Sequence, residues 1–175
     1  MTDLQDTEPG PRTVDARWLD PGEQAAWRAW LEMYRLVLPV LDRQLHSAAG
    51  LTLSDYEVLV CLSEAPSGRL RMGSVADRTV STRSAISRST DRLVARGWVR
   101  RERSGEDQRG FYAQITDEGL QALERLAPEH VATVRGALVD LLDPAELAVL
   151  ERIGQKVRRR MGGGDAGPAA GPPAG

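Results

Sequence analysis

The chain has little of what covalent, metal or redox chemistry needs. Among 175 residues there are one cysteine, two histidines and one phenylalanine. A single cysteine excludes an intramolecular disulfide. The histidines, His46 and His130, stand in neither an H-x-x-x-H nor an H-E-x-x-H spacing, so nothing points to zinc. No glycine-rich phosphate loop follows a strand, and the Gly162-Gly163-Gly164 run lies in a tail of Gly, Ala and Pro. Asp, Glu and Ser are plentiful, but they fall on amphipathic stretches where solvent exposure accounts for them. The chain therefore reads as a non-enzyme with no metal or cofactor. It also lacks any run of about 18 apolar residues, the length that spans a bilayer, and its N-terminus has no basic-then-apolar signal segment. The expectation is a cytoplasmic protein with no membrane partner.

With 41% hydrophobic residues the chain suits one compact domain, or a domain with an attached oligomerisation arm. Residues 1–17 are acidic, contain proline and show no apolar periodicity, and residues 162–175 are almost entirely Gly, Ala and Pro. Both are predicted to be disordered tails, which leaves residues 18–161 as the folded part.

Charge is unevenly placed. Between Arg69 and Arg109 there are eleven arginines against five acids, a local net charge of +6 in a chain whose total is −2, so the remainder sums to −8. A basic block in an acidic molecule is the electrostatic footprint of a phosphate-binding face, although a solvated arginine-rich surface would look the same. The order of elements inside the block decides between them. Met72, Val75 and Ala76 begin an apolar stripe that ends near Arg78, and Thr79-Val80-Ser81 supplies a short turn. A second helix opens at Thr82, whose hydroxyl can cap the first turn, and runs to Gly97. Its inward stripe is read as Ile86, Thr90, Leu93 and Val94, and its outward side as Arg83, Ser84, Ser87, Arg88 and Arg92. Long cations among short hydroxyls can reach base edges and phosphates while permitting close approach in a major groove.

After Gly97 the period changes. Trp98 to Arg103 and Phe111 to Thr116 are rich in aromatic and β-branched residues, with a polar stretch from Ser104 to Gly110 between them. That is a hairpin, with Phe111, Ala113 and Ile115 predicted to face inward. The fold class is thus mainly α with a small β-hairpin wing, a winged helix-turn-helix with its head at about residues 51–116. The wing loop ends in Arg109, suited to a minor groove.

Four stretches carry a resemblance: Leu51-Thr52-Leu53-Ser54-Asp55-Tyr56-Glu57-Val58-Leu59; Ser84 through Arg101; Glu106-Asp107-Gln108-Arg109-Gly110; and Ile115-Thr116-Asp117-Glu118-Gly119. In this order they resemble the MarR family of transcriptional regulators over roughly residues 20–160. The resemblance implies double-stranded DNA as partner, with residues from Thr82 to Arg92 facing the major groove, Arg109 entering the minor groove and Asp107 holding it. It also implies a homodimer and a small aromatic or phenolic effector. The chain departs from the family pattern at Thr79 and Thr90, where apolar residues are usual, and at Arg71, where a Ser or Thr cap is common. Some family members sense oxidants through a cysteine, but Cys61, within Val58-Leu59-Val60-Cys61-Leu62, has no basic neighbour in sequence to favour a thiolate.

Outside the head, residues 21–47 form a helix with two adjacent apolar stripes, one from Trp27 to Leu45 and one from Ala26 to Val40, with a bend expected at Pro39. Residues 118–161 supply a stripe from Leu120 through Leu138 to Leu141, with a second bend at Pro128. A new helix then begins at Asp143-Pro144, with Leu147, Leu150, Ile153, Val157 and Met161 on one side. One small head cannot cover these stripes, so a second copy is expected to, which would set two recognition helices about one DNA turn apart on a near-palindromic operator. Trp30 and Tyr34, one turn apart, are candidate effector contacts. Taken together, the sequence points to a DNA-binding transcriptional regulator, and the resemblance implies repression; the alternatives are a winged-helix protein-interaction module without a specific DNA target and a redox-sensing regulator acting through Cys61.

Overall fold

The computed structural model describes residues 17–79, 81–103 and 111–161. The expectations for the two tails, and for the wing loop with Asp107 and Arg109, lie outside the described residues. The chain divides into two compact units, one up to Tyr34 and one from Arg35 onward. Helix α1 (Pro21–Ala49) runs through Pro39 and belongs in part to each.

In the first unit, α1 starts with a reciprocal cap. The Asp20 carboxylate accepts from Glu23 N–H at 2.8 Å, while the Glu23 carboxylate accepts from Asp20 N–H at 3.0 Å and from Arg17 at 2.8 Å. Proline at the first helical position costs nothing there, since its missing N–H would have had no partner. Trp27 stacks on Trp30 with centroids 5.1 Å apart, and both are exposed.

The second unit continues with α2 (Leu53–Ser63), β1 (Arg69–Arg71), α3 (Met72–Arg78), α4 (Arg83–Ala95), β2 (Val99–Arg103), β3 (Phe111–Ile115), α5 (Asp117–Ala137) and α6 (Pro144–Met161). Helix α2 is apolar on every side and is its centre: Tyr56 and Val58 through Leu62 are all buried. Around it pack Leu45, Leu51, Val75, Ile86, Leu93, Val99, Ala113 and Leu123. The strands form an antiparallel sheet in the order β1-β3-β2, with Leu70 opposite Ala113 and Val99 opposite Ile115. His130 of α5 is buried against the Tyr56 ring, 4.2 Å between centroids, and its Nδ1 meets Gln44 Oε1 at 3.1 Å. Burial holds this imidazole below its ordinary pKa. Among the described residues no helix is long and apolar enough to cross a membrane.

The winged-helix order stands, with corrections in detail. A third strand, β1, was not anticipated; three residues are too few for an alternation to show. On α4 the inward row is Ile86, Ser89, Thr90 and Leu93, whereas Val94 is 38% exposed. Val94 lies about 100° beyond Leu93 around the helix, outside the row that residues 86, 89, 90 and 93 define. Phe111 is exposed because it sits at the wing end of β3, past the edge of the core. Helix α5 stops at Ala137, so Leu138 and Leu141 do not prolong its stripe; Leu138 takes φ −146, ψ −56 and starts a short 3-10 turn, Val139–Leu141. Asp143 caps α6 as expected, its Oδ1 accepting from Ala145 N–H at 2.7 Å and Glu146 N–H at 2.8 Å.

One close approach fixes the wing on α5. Thr116 N–H donates to Trp98 O at 3.0 Å, its hydroxyl donates to Gly97 O at 2.7 Å, and it caps Gly119 N–H at 3.1 Å. A Cβ on Gly119 would collide with the Trp98 carbonyl and stand 2.9 Å from Ile115 Cγ1. Gly119→Ala would gain about 1 kcal/mol of helix propensity. Overpacking against a backbone carbonyl this close falls at the upper end of the usual cost, about 3 kcal/mol, and exceeds that gain. Urea titration is expected to show net destabilisation, and an unchanged midpoint would refute the close packing of this joint.

Candidate nucleic-acid interface

The outward side of α4 is built from its first turn. Thr82 takes extended backbone angles (φ −67, ψ 153), and its hydroxyl accepts from Ala85 N–H at 3.3 Å, so one of the unpaired amides of the helix start is satisfied. Beyond it Arg83, Ser84, Ser87 and Arg88 are all exposed. Ser84 shares a hydroxyl contact with Thr82 at 3.2 Å, and Arg83 pairs with Asp77 at 3.2 Å in a fully wet, weak contact. Arg88 makes no ion pair or hydrogen bond among the described residues.

What aims this face is a buried carboxylate that sequence reasoning missed. Asp55 is 1% exposed, contrary to the expectation that the acids lie in solvent. It closes a capping box at the start of α2: Asp55 N–H donates to Thr52 Oγ1 at 3.2 Å, and Thr52 N–H donates to Asp55 Oδ2 at 2.9 Å. Arg92 of α4 then meets the same carboxylate, Nη2 to Oδ1 at 2.7 Å and Nε to both oxygens at 3.2 and 3.3 Å. Its Nη2 also reaches Ser89 Oγ at 3.0 Å and Thr52 Oγ1 at 3.3 Å. Burial by itself would raise the Asp55 pKa; the bonds from Arg92, Thr52 and Ser89 outweigh it and hold the carboxyl below its ordinary value. Arg92 thus secures α4 to α2, with 47% of its side chain exposed. The signal was present in the sequence as Thr52-x-x-Asp55 ahead of an apolar run.

The turn before α4 is fixed to α2 as well, through the Ser54–Ser81 hydroxyl pair and a 3.1 Å bond from Ser81 to Glu57. The two threonines at usually apolar positions satisfy their hydroxyls one turn back, Thr79 on Val75 O at 3.2 Å and Thr90 on Ile86 O at 2.9 Å. Arg71 precedes α3 without a side-chain cap. On the sheet, Arg101 reaches back to Asp91 of α4 at 2.7 Å, and Arg100 pairs with Glu102 at 3.1 Å. The Arg69 guanidinium lies 4.0 Å over the Tyr112 ring, whose hydroxyl accepts from Arg71 at 3.0 Å.

Trp30 and Tyr34 come together as the spacing suggests, with centroids 6.0 Å apart and both about half exposed. Cys61 is buried, and burial pushes its thiol up to about 11, with the Arg78 charge opposing only in part. A neutral buried thiol is a poor nucleophile, so the surroundings of Cys61 do not favour the thiolate a redox switch would use. Among the described residues no group of His, Cys, Asp and Glu could hold a metal ion.

A second helix with its outer side bare and charged, set on a buried support and followed by an antiparallel hairpin, defines a winged helix-turn-helix protein. More narrowly, the chain belongs to the MarR family of transcriptional regulators. The family profile matches residues 49–110. Among solved structures it is similar to Sco3205, a MarR family transcriptional regulator from Streptomyces coelicolor solved in complex with DNA, at 42% identity and a TM-score of 0.78, covering 87% of this chain and 96% of that one. It is also similar to AbsC, a MarR family regulator of the same organism, at 39% identity and a TM-score of 0.76, covering 85% and 100%. The transcriptional repressor YetL of Bacillus subtilis is 28% identical over 116 residues, 65% of this chain and 70% of that protein.

Because the folded-state pKa of Asp55 is depressed, its contribution to stability is present above the unfolded value near 3.8 and is lost as pH falls through the lower folded value. Asp55→Asn is expected to flatten that part of the stability–pH profile and to cost about 1 to 3 kcal/mol at neutral pH, through a lost cap and a charged bond. Chemical denaturation from pH 3 to pH 7 checks it; a variant with the wild-type acid slope would show that Asp55 does not carry it.

Proposed function

We propose that the protein is a sequence-specific DNA-binding repressor that reads a pseudo-palindromic operator as a homodimer. The observation that carries this reading is the outward face of α4, where Arg83, Ser84, Ser87 and Arg88 stand exposed and Arg88 has no protein partner among the described residues. The DNA complex of the similar Sco3205 and the repressor activity named for the similar YetL support it. In this reading Arg83, Ser84, Ser87 and Arg88 meet base edges and adjacent phosphates in the major groove, and Thr82 adds a phosphate contact beside its cap. Arg92, at the edge of the face, contributes its exposed part to a flanking phosphate. For Arg109 and Asp107, which lie outside the described residues, the family resemblance implies a minor-groove contact by the arginine with the aspartate supporting it.

The dimer reading rests on apolar surface without cover. Trp27 and Leu31 on α1, and Val149, Ile153, Val157 and Met161 on α6, are all exposed. Fully burying a large apolar side chain is worth about 1.5 to 3 kcal/mol, enough across these positions to drive association of two copies. A small aromatic effector meeting Trp30 and Tyr34 would release DNA by favouring a dimer whose heads are wrongly spaced.

Selection of bound sequences from a random duplex pool tests the function directly: a motif with two related half-sites is expected, and enrichment no better than chance would end the proposal. Arg88→Ala is expected to lower specific affinity by about 1 to 3 kcal/mol and relax preference at one symmetric pair of positions, with non-specific binding less affected. An identical selected motif for wild type and variant would show that Arg88 reads no base. Removal of residues 144–161 is expected to abolish dimers in sedimentation, and a well-behaved monomer with full operator affinity would refute the dimer.

A further inference from the structure

The junction between α1 and α2 is held by a residue at the far end of α4. Arg96 follows the last turn of α4 (φ −86, ψ −7) and donates from Nη1 to Ala49 O at 2.8 Å and from Nη2 to Gly50 O at 3.1 Å. Its guanidinium carbon lies 5.2 Å from the Trp98 ring centroid. These are two of the carbonyls left without a helix partner at the end of α1 and just beyond it. Gly50 takes the left-handed conformation (φ +62) and closes the helix with its N–H on His46 O at 2.8 Å, while Leu51 N–H reaches Leu45 O at 3.3 Å. The carbonyls of Ala49 and Gly50 then face a cation, which also suits the negative end of the helix. A Cβ at position 50 would stand 3.3 Å from Arg96 Nη2, so the approach uses glycine for room as well as for φ.

This contact is not what keeps the head folded. Arg96 is an exposed residue, and the core beside it is closed by Leu45, Leu51 and Leu93, with the Asp55–Arg92 bond as a second tie. A planar guanidinium bonded to two successive carbonyls supplies a fixed direction instead, which a single-point contact would not. It joins the end of α1 to the end of α4. We infer that Arg96 is a positioning residue: without touching DNA, it fixes the angle of α4 to the end of α1, and through it the spacing and phase of the two half-sites that a dimer accepts. The inference rests on the function proposed above.

The test uses the full chain and the operator selected by the wild type, remade with one base pair inserted or removed between the half-sites. Each change turns one half-site by about 35° relative to the other. Wild type is expected to lose about tenfold or more in affinity at either altered spacing, because its heads are held in one phase. Arg96→Ala and Arg96→Gln are expected to lose only about two- to threefold on the same change, with unchanged affinity for an isolated half-site duplex and a thermal midpoint within a few degrees of wild type. Arg96→Lys, keeping charge without the two-point geometry, is expected to fall between them. A variant whose spacing profile parallels the wild type, whether at equal or at uniformly reduced affinity, overturns the positioning role while leaving DNA binding intact. A wild type that selects no paired half-sites overturns the proposed function itself, and this inference with it.

Discussion

The head is organised around one carboxylate that has no access to water. Burying Asp55 would be costly if it stood alone, since a charged group in a low-dielectric interior loses its hydration. Its surroundings replace that hydration piece by piece: the Thr52 N–H, a forked contact from Arg92 and the nearby Ser89 hydroxyl. Each donor comes from an element that has to be in place, so the first turn of α2 and the middle of α4 are fixed relative to each other. The outward side chains of α4 inherit their direction from a bond on its inner side.

The arginines divide in a way their sequence does not announce. Arg69, Arg71, Arg83, Arg92, Arg96, Arg100 and Arg101 all have partners inside the protein: carboxylates, backbone carbonyls or the Tyr112 hydroxyl and ring. Arg88 makes no ion pair or hydrogen bond among the described residues. The local excess of positive charge in the sequence is therefore a poor count of charges offered to a partner, and much of it is internal wiring. Glu102 illustrates this by facing two arginines at once, Arg69 at 3.5 Å and Arg100 at 3.1 Å.

Elements with a period were legible in the sequence. The helices, the turn before α4, the Thr82 and Asp143 caps and the two long strands follow from apolar spacing and from hydroxyl or carboxylate residues at helix starts. What was not legible depends on contacts between distant segments. Strand β1 is three residues long and exists because β3 is beside it. The sequence offers Asp55 as half of a capping box with Thr52, but not as a buried anchor, because that needs Arg92, 37 positions away, to be brought to it. Val94 and Phe111 were assigned inward from local pattern, but where the core ends is set by its other walls. Of the residues singled out for the interface, Thr82, Arg83, Ser84, Ser87, Arg88 and Arg92 are placed on one helix, while Asp107 and Arg109 lie outside the described residues.

The placing of the tryptophans gives the molecule a built-in optical division. Trp18, Trp27 and Trp30 belong to the first unit and are exposed, whereas Trp98 alone belongs to the second, partly buried at the joint where Thr116 and Gly119 meet its carbonyl and Arg96 lies over its ring. An indole emits according to the charge and water around it. With the three exposed tryptophans replaced by phenylalanine, the remaining fluorescence would come from a single site at the base of the wing, turning that joint into its own spectroscopic reporter.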